Sequence, residues 1–133
     1  MTLAQVNTDD QQLPWALFLD DERMPGDAAF VVPTAVYVAR TVERAQSYVK
    51  DMGLPMAISF DHDLGEGQPP ATAFAWWLIN GHLDGLWDCK TIGQVQVHSA
   101  NPEGGRNIFL LWEGFCREHG IECGIKRVKA IQR

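Results

Sequence analysis

Three short stretches concentrate the side chains that can do chemistry. Asp20-Asp21-Glu22-Arg23 follows the apolar run Trp15–Leu19, Asp61-His62-Asp63 follows Ile58-Ser59-Phe60, and His98-Ser99-Ala100-Asn101 follows Val95-Gln96-Val97. Asp20, Asp21 and Asp61, if brought together, repel one another unless a cation shares them. Carboxylate oxygens suit a hard divalent ion, Mg²⁺ or Mn²⁺, which keeps some of its water and takes a substrate phosphate. His62 and His98 carry imidazole, the side chain generally suited to acid–base work near neutral pH, and are the candidates for proton transfer. Asp63 is placed to orient a histidine or to join the metal shell. Ser99, Asn101 and Gly104 lead into a helix start, where free N–H groups and the helix dipole favour an anion. Arg106 is a candidate phosphate clamp. Arg23 either pairs with a neighbouring acid or reaches the same phosphate. Each residue also has a plain structural role open to it. Asp20, Ser99 and Asn101 can cap loops or helices, Asp61 can sit in a turn, and Asp21 and Arg106 can be solvated charges.

The surrounding pattern explains how such stretches meet. Residues 15–19 are apolar throughout, as in a central parallel strand covered on both faces. Residues 34–40, 56–60 and 94–97 read as further strands, and 124–131 as an amphipathic, basic last strand. Between them lie helical patterns. Thr41 is an N-cap for a helix with Val42, Ala45, Val49 and Met52 on one face, which Gly53 stops. A second helix spans about 71–82, with Phe74, Trp77 and Leu78 inward, Trp76 outward, and Gly81 and Gly85 loosening its end. A third begins at Asn101-Pro102 or, because Gly104-Gly105 weakens the first turn, nearer Arg106, and runs to His119 before Gly120. Residues 1–13 are polar and read as a loose lead-in, and 20–33 as a loop. Strands alternating with helices predict one α/β unit over 1–133, with a mostly parallel five-stranded sheet and helices on both faces. In such a sheet, ligands bind beyond the carboxyl ends of the strands. All three polar stretches lie there.

Composition narrows the function classes. The chain has 17 Asp and Glu against 11 Lys and Arg, a net charge of -6, which argues against broad DNA binding through phosphates. It leaves room for a small phosphorylated ligand bridged by a metal. No apolar run approaches the ~20 residues of a membrane span, and no secretory signal is visible. Cys89, Cys116 and Cys123 form no CxxC pair, and their odd number suits free thiols in a reducing, cytoplasmic setting. P-loop, GxSxG and HExxH motifs are absent from the sequence.

An acidic pair after the first strand, an Asp after the third and a hydroxyl residue after the fourth resemble response-regulator receiver domains. Leu17–Pro25, Ile58–Gly65, Val97–Gly104 and Arg106-Asn107-Ile108 more narrowly resemble the cyclic-phosphate processing receiver-like domains. That resemblance implies a flavodoxin-like fold, here reduced, with first and last helices short or absent. It also implies a metal-dependent phosphoesterase that processes a cyclic phosphate of a nucleotide or oligonucleotide end. The alternative is a non-catalytic receiver-like module that binds a phosphorylated ligand or a protein partner. Lys126 and Lys129 give no clear match to a receiver's phosphoryl-contacting lysine. Phosphotransfer signalling through Asp61 is therefore the least favoured reading.

Overall fold

In a computed structural model the described residues are 14–25, 35–122 and 124–128. The strands are β1 (Trp15–Leu19), β2 (Ala35–Ala39), β3 (Ala57–Phe60), β4 (Gln94–Val97) and β5 (Gly124–Arg127). The helices are α1 (Val42–Met52), α2 (Ala71–Leu83) and α3 (Pro102–Glu118), with a 3₁₀ turn at Cys89–Thr91. All strand pairs are parallel, in the order β2-β1-β3-β4-β5. This is the flavodoxin-like order. The expected last strand is found to Arg127, and its continuation through 129–131 lies outside the described residues. The lead-in at 1–13, most of the 20–33 loop and Cys123 lie outside them as well.

Connection handedness sets the layering. From β2 the chain moves to β3, β4 and β5 in one direction across the sheet, and right-handed crossovers then place the connecting helices on one face. Accordingly, α1, α2 and α3 share one core with alternate strand residues: Trp15, Leu17 and Leu19, then Ile58 and Phe60, then Val95 and Val97. The described helices thus lie together, whereas the sequence predicts helices on both faces. The second face of the sheet carries Ala16, Phe18, Ala57, Ser59 and Gln96, all buried.

Local chemistry fixes the helix ends. The Thr41 hydroxyl accepts from the Arg44 N–H, and the Gly53 N–H closes α1 on Val49 with φ +85°. No side chain caps α2; instead the Ala71 N–H is taken by the His62 carbonyl at 3.0 Å, which ties the helix to the β3 end. Gly81 does not loosen α2. A Cβ there would overlap the Trp87 indole, whose Nε1 donates to the Leu78 carbonyl at 2.8 Å, so the glycine is the seat of a packed tryptophan. The helix α3 starts at Pro102 and not near Arg106. The Asn101 side chain accepts from the Gly104 N–H at 2.9 Å and carries the two glycines through the first turn. Trp76 faces outward, 52% exposed.

Candidate functional site

The strand ladder continues one residue past β1, β3 and β4. Asp20 N–H bonds the Ala39 carbonyl, Asp61 N–H the Leu19 carbonyl and His98 N–H the Phe60 carbonyl, at 3.1, 2.8 and 2.8 Å. Because Leu19, Phe60 and Val97 are in register, the next row holds Asp20, Asp61 and His98 side by side. Sheet hydrogen bonding, not loop geometry, therefore fixes these backbones.

Asp20, Asp21 and Asp61 can each offer an oxygen such that all three lie within 4.8 Å of one another. Asp21 and Asp61 border a cleft of about 470 Å³, lined also by Glu22, Arg23, Asp63 and Asn101 among others, while Asp20 is fully buried and outside that lining. Gly65, at φ +107°, turns the chain along its edge, and a Cβ there would sit 3.7 Å from the Asp21 carboxylate. Hard oxygen donors converging on a cleft fit Mg²⁺ or Mn²⁺ chemically.

Asp20 is fully buried and saturated. Its Oδ1 accepts from the Glu22 and Arg23 N–H groups, both at 2.8 Å. Its Oδ2 accepts from His98 Nε2 at 2.9 Å and Arg23 Nη1 at 3.1 Å. Burial pushes this carboxyl upward, but the His98 hydrogen bond and the two N–H groups outweigh it and hold Asp20 below the ordinary range. Asp61 ends the other way. Burial first, then the Asp20 charge, raise it, against hydrogen bonding from Ser99 and the charge of Arg23 at 3.7 Å.

His98 is enclosed. It is fully buried, its ring stacks on Phe18 at 4.6 Å, and both nitrogens meet protein partners. Gln96 Nε2 donates to Ser59 Oγ at 3.0 Å, and Ser59 Oγ shares a hydrogen bond with His98 Nδ1 at 2.6 Å. The other nitrogen, Nε2, donates to the Asp20 carboxylate. A catalytic part for His98 at the substrate is set aside on this geometry, because no nitrogen remains to exchange a proton with the cleft. His62 is half-buried. Its Nδ1 lies 2.8 Å from Asp63 Oδ1, and its ring covers Gly104, where a Cβ would come within 2.4 Å. It stands beside the cleft lining rather than in it. The His62 and Asn101 hydrogen bonds lower the Asp63 carboxyl, and Asn101 Nδ2 reaches its Oδ2 at 3.1 Å.

The anion-site expectation changes at two positions. The Gly104 N–H is already given to Asn101 and its open side to the His62 ring, so it offers a phosphate nothing. Arg106 is exposed on α3 and outside the cleft lining. Ser99 bonds Asp61 and accepts from the Asn101 N–H, and Asn101 clamps the β3 end to α3. Arg23 takes the paired reading, against both Asp20 and Asp61. Sequence reasoning missed the buried ladder of Gln96 and Ser59, and Arg40, which donates to the Asp20 and Arg23 carbonyls at 3.0 and 2.6 Å. A signal for the ladder existed: Ser59, Gln96 and His98 are polar residues at inner-strand positions that alternate onto one face.

The family described as the cyclic-phosphate processing Receiver domain matches residues 15–113. The chain belongs to this family. Its match runs from β1 into α3 and so takes in all three strand ends of the site. No curated protein and no solved structure gives a significant match. The matched span includes the acidic row, and the roles of that row, of the His98 ladder and of the Arg23 bridge are read from this chain itself. Among the described residues, no helix is long and apolar enough to cross a membrane.

Proposed function

We propose that this receiver-like domain is a metal-dependent phosphoesterase that opens a cyclic phosphate of a nucleotide or oligonucleotide end. The observation that carries the reading is the clustering of Asp20, Asp21 and Asp61, the last two lining one cleft, in a chain of the cyclic-phosphate processing family. Asp20, Asp21 and Asp61 would hold Mg²⁺ or Mn²⁺, which supplies Lewis-acid stabilisation of charge on the phosphoryl oxygens. His98 holds Asp20 in place as a hydrogen-bond donor. Ser99 fixes Asp61, and Asn101 fixes Asp63. His62, oriented by Asp63, is the imidazole left to take or give a proton at the rim of the cleft. Arg23 lines the floor as a cation beside the incoming phosphate.

The test is a panel of 2′,3′- and 3′,5′-cyclic nucleotides with Mg²⁺ or Mn²⁺, read by product formation. Ring opening that is lost in His62→Ala supports the reading; intact nucleotides throughout the panel contradict it. One observation favours a second reading, a binding module without turnover: both histidines stand outside the cleft lining. Calorimetry on the same panel separates the two, since a module binds tightly and returns its ligand unchanged.

A further inference from the structure

Arg23 occupies the position where a cation is needed. It is 7% exposed, and its guanidinium joins Asp20 Oδ2 at 3.1 Å and Asp61 Oδ2 at 3.7 Å. It also lines the cleft, and its Nε is buried with no hydrogen-bond partner. A carboxylate has about four lone-pair positions. Those of Asp20 are filled by two backbone N–H groups, His98 and Arg23. A divalent ion thus reaches Asp20 only if one donor leaves. The N–H groups belong to a turn that Arg40 ties down through the Asp20 and Arg23 carbonyls. His98 is locked between Phe18, Ser59 and Asp20. The Arg23 side chain, at the end of a flexible stem and already facing the cleft, is the donor able to move.

We propose that Arg23 is a resident counter-cation that a divalent ion displaces, and that the displaced guanidinium then binds the phosphoryl group. This rests on the reading of Asp20, Asp21 and Asp61 as a divalent-cation site. Before exchange, Arg23 balances two buried carboxylates that would otherwise repel. After exchange, one lone pair on Asp20 and the Asp61 carboxylate turn to the metal. The guanidinium, with its unpartnered Nε, gains acceptors from the phosphate. Metal and phosphate therefore bind with positive coupling, each tightening the other by the same factor. Arg23 is then a binding residue of the site and not only its structural ion pair.

The experiment titrates the full chain with Mn²⁺, with and without inorganic phosphate, by calorimetry, for wild type, Arg23→Met and Arg23→Lys. In Arg23→Met the competing cation is gone, so Mn²⁺ binds about tenfold tighter without phosphate. Added phosphate tightens Mn²⁺ in wild type and has no effect in Arg23→Met. Arg23→Lys keeps the charge that supports folding but loses the fork across two carboxylates, and falls between the two. If wild type binds Mn²⁺ and neither variant binds it more tightly, the exchange is wrong while the metal site stands. If none of the three proteins binds Mn²⁺, the metal reading itself falls, and the exchange with it. Binding by Arg23→Met alone supports the exchange in its strongest form.

Discussion

Asp61 is buried beside a second carboxylate, and burial first, then the Asp20 charge, hold its pKa above the ordinary value. The folded state therefore keeps this proton more tightly than the unfolded chain, whose Asp titrates near ~4. The contribution of Asp61 to stability falls as pH rises from about 4 through its raised folded value. Asp20 has the opposite sign: its depressed carboxyl stabilises the fold above about 4, and that support is lost as pH falls through the lower folded value. Asp61→Asn removes the repulsion, so in metal-free buffer at pH 7 its melting temperature rises above wild type. Added Mn²⁺ then stabilises the variant less than it stabilises wild type. A metal-free melting temperature unchanged or lower contradicts the assigned electrostatics. His98→Ala strips a donor from buried Asp20 and a partner from Ser59 and leaves a cavity, a cost of about 3 kcal/mol or more in urea unfolding. A loss under 1 kcal/mol would show that the ladder carries little. The acids were legible in the sequence because residue type and strand end both point to them. The separate fates of the two histidines were not, since an imidazole after a strand reads the same whether a buried ladder or the solvent receives it.

At the scale of elements, the start of α3 is where packing and chemistry meet. Asn101 caps the helix through its side-chain oxygen and holds Asp63 through its nitrogen, and the His62 ring lies on Gly104. Two glycines of this helix, Gly104 and Gly114, stand in different surroundings, and substitution separates them. Gly114→Ala meets nothing within 4 Å and raises stability by about 0.5–1 kcal/mol, as in an ordinary helix interior. Gly104→Ala drives a methyl into the His62 ring and Cβ, costs about 1–3 kcal/mol and shifts the histidine from Asp63. Thermal melts of the pair decide this, with His62 ring resonances moving in Gly104→Ala alone. Equal effects of the two substitutions would contradict the packing. Element positions were largely readable, because periodicity and capping residues are local. The true start of α3 was not, because an asparagine cap outweighs two glycines only when its side chain finds the Gly104 N–H.

At the scale of the molecule, strand order brings distant stretches together. Right-handed crossovers put α1, α2 and α3 on one face, and register aligns Asp20, Asp61 and His98 in one row across β1, β3 and β4. The flavodoxin-like fold and the family were legible from the order of elements and the motifs after the strands. The polar second face was not, because Ser59 and Gln96 sit singly in short strands and disclose a ladder only once register pairs them. Carboxylates from two strand ends, about forty residues apart in the chain and braced by the third strand end, are here assigned to one cation. Backbone amide NMR of the isotope-labelled protein with substoichiometric Mn²⁺ tests this assignment directly. The expected result is paramagnetic loss of the amide signals of residues 20–23, 61–65 and 99–101 in step, while a second groove, lined by Trp76 and Leu83 of α2 and Leu110 and Leu111 of α3, is untouched. Loss at a single strand end, or first in that groove, would contradict it.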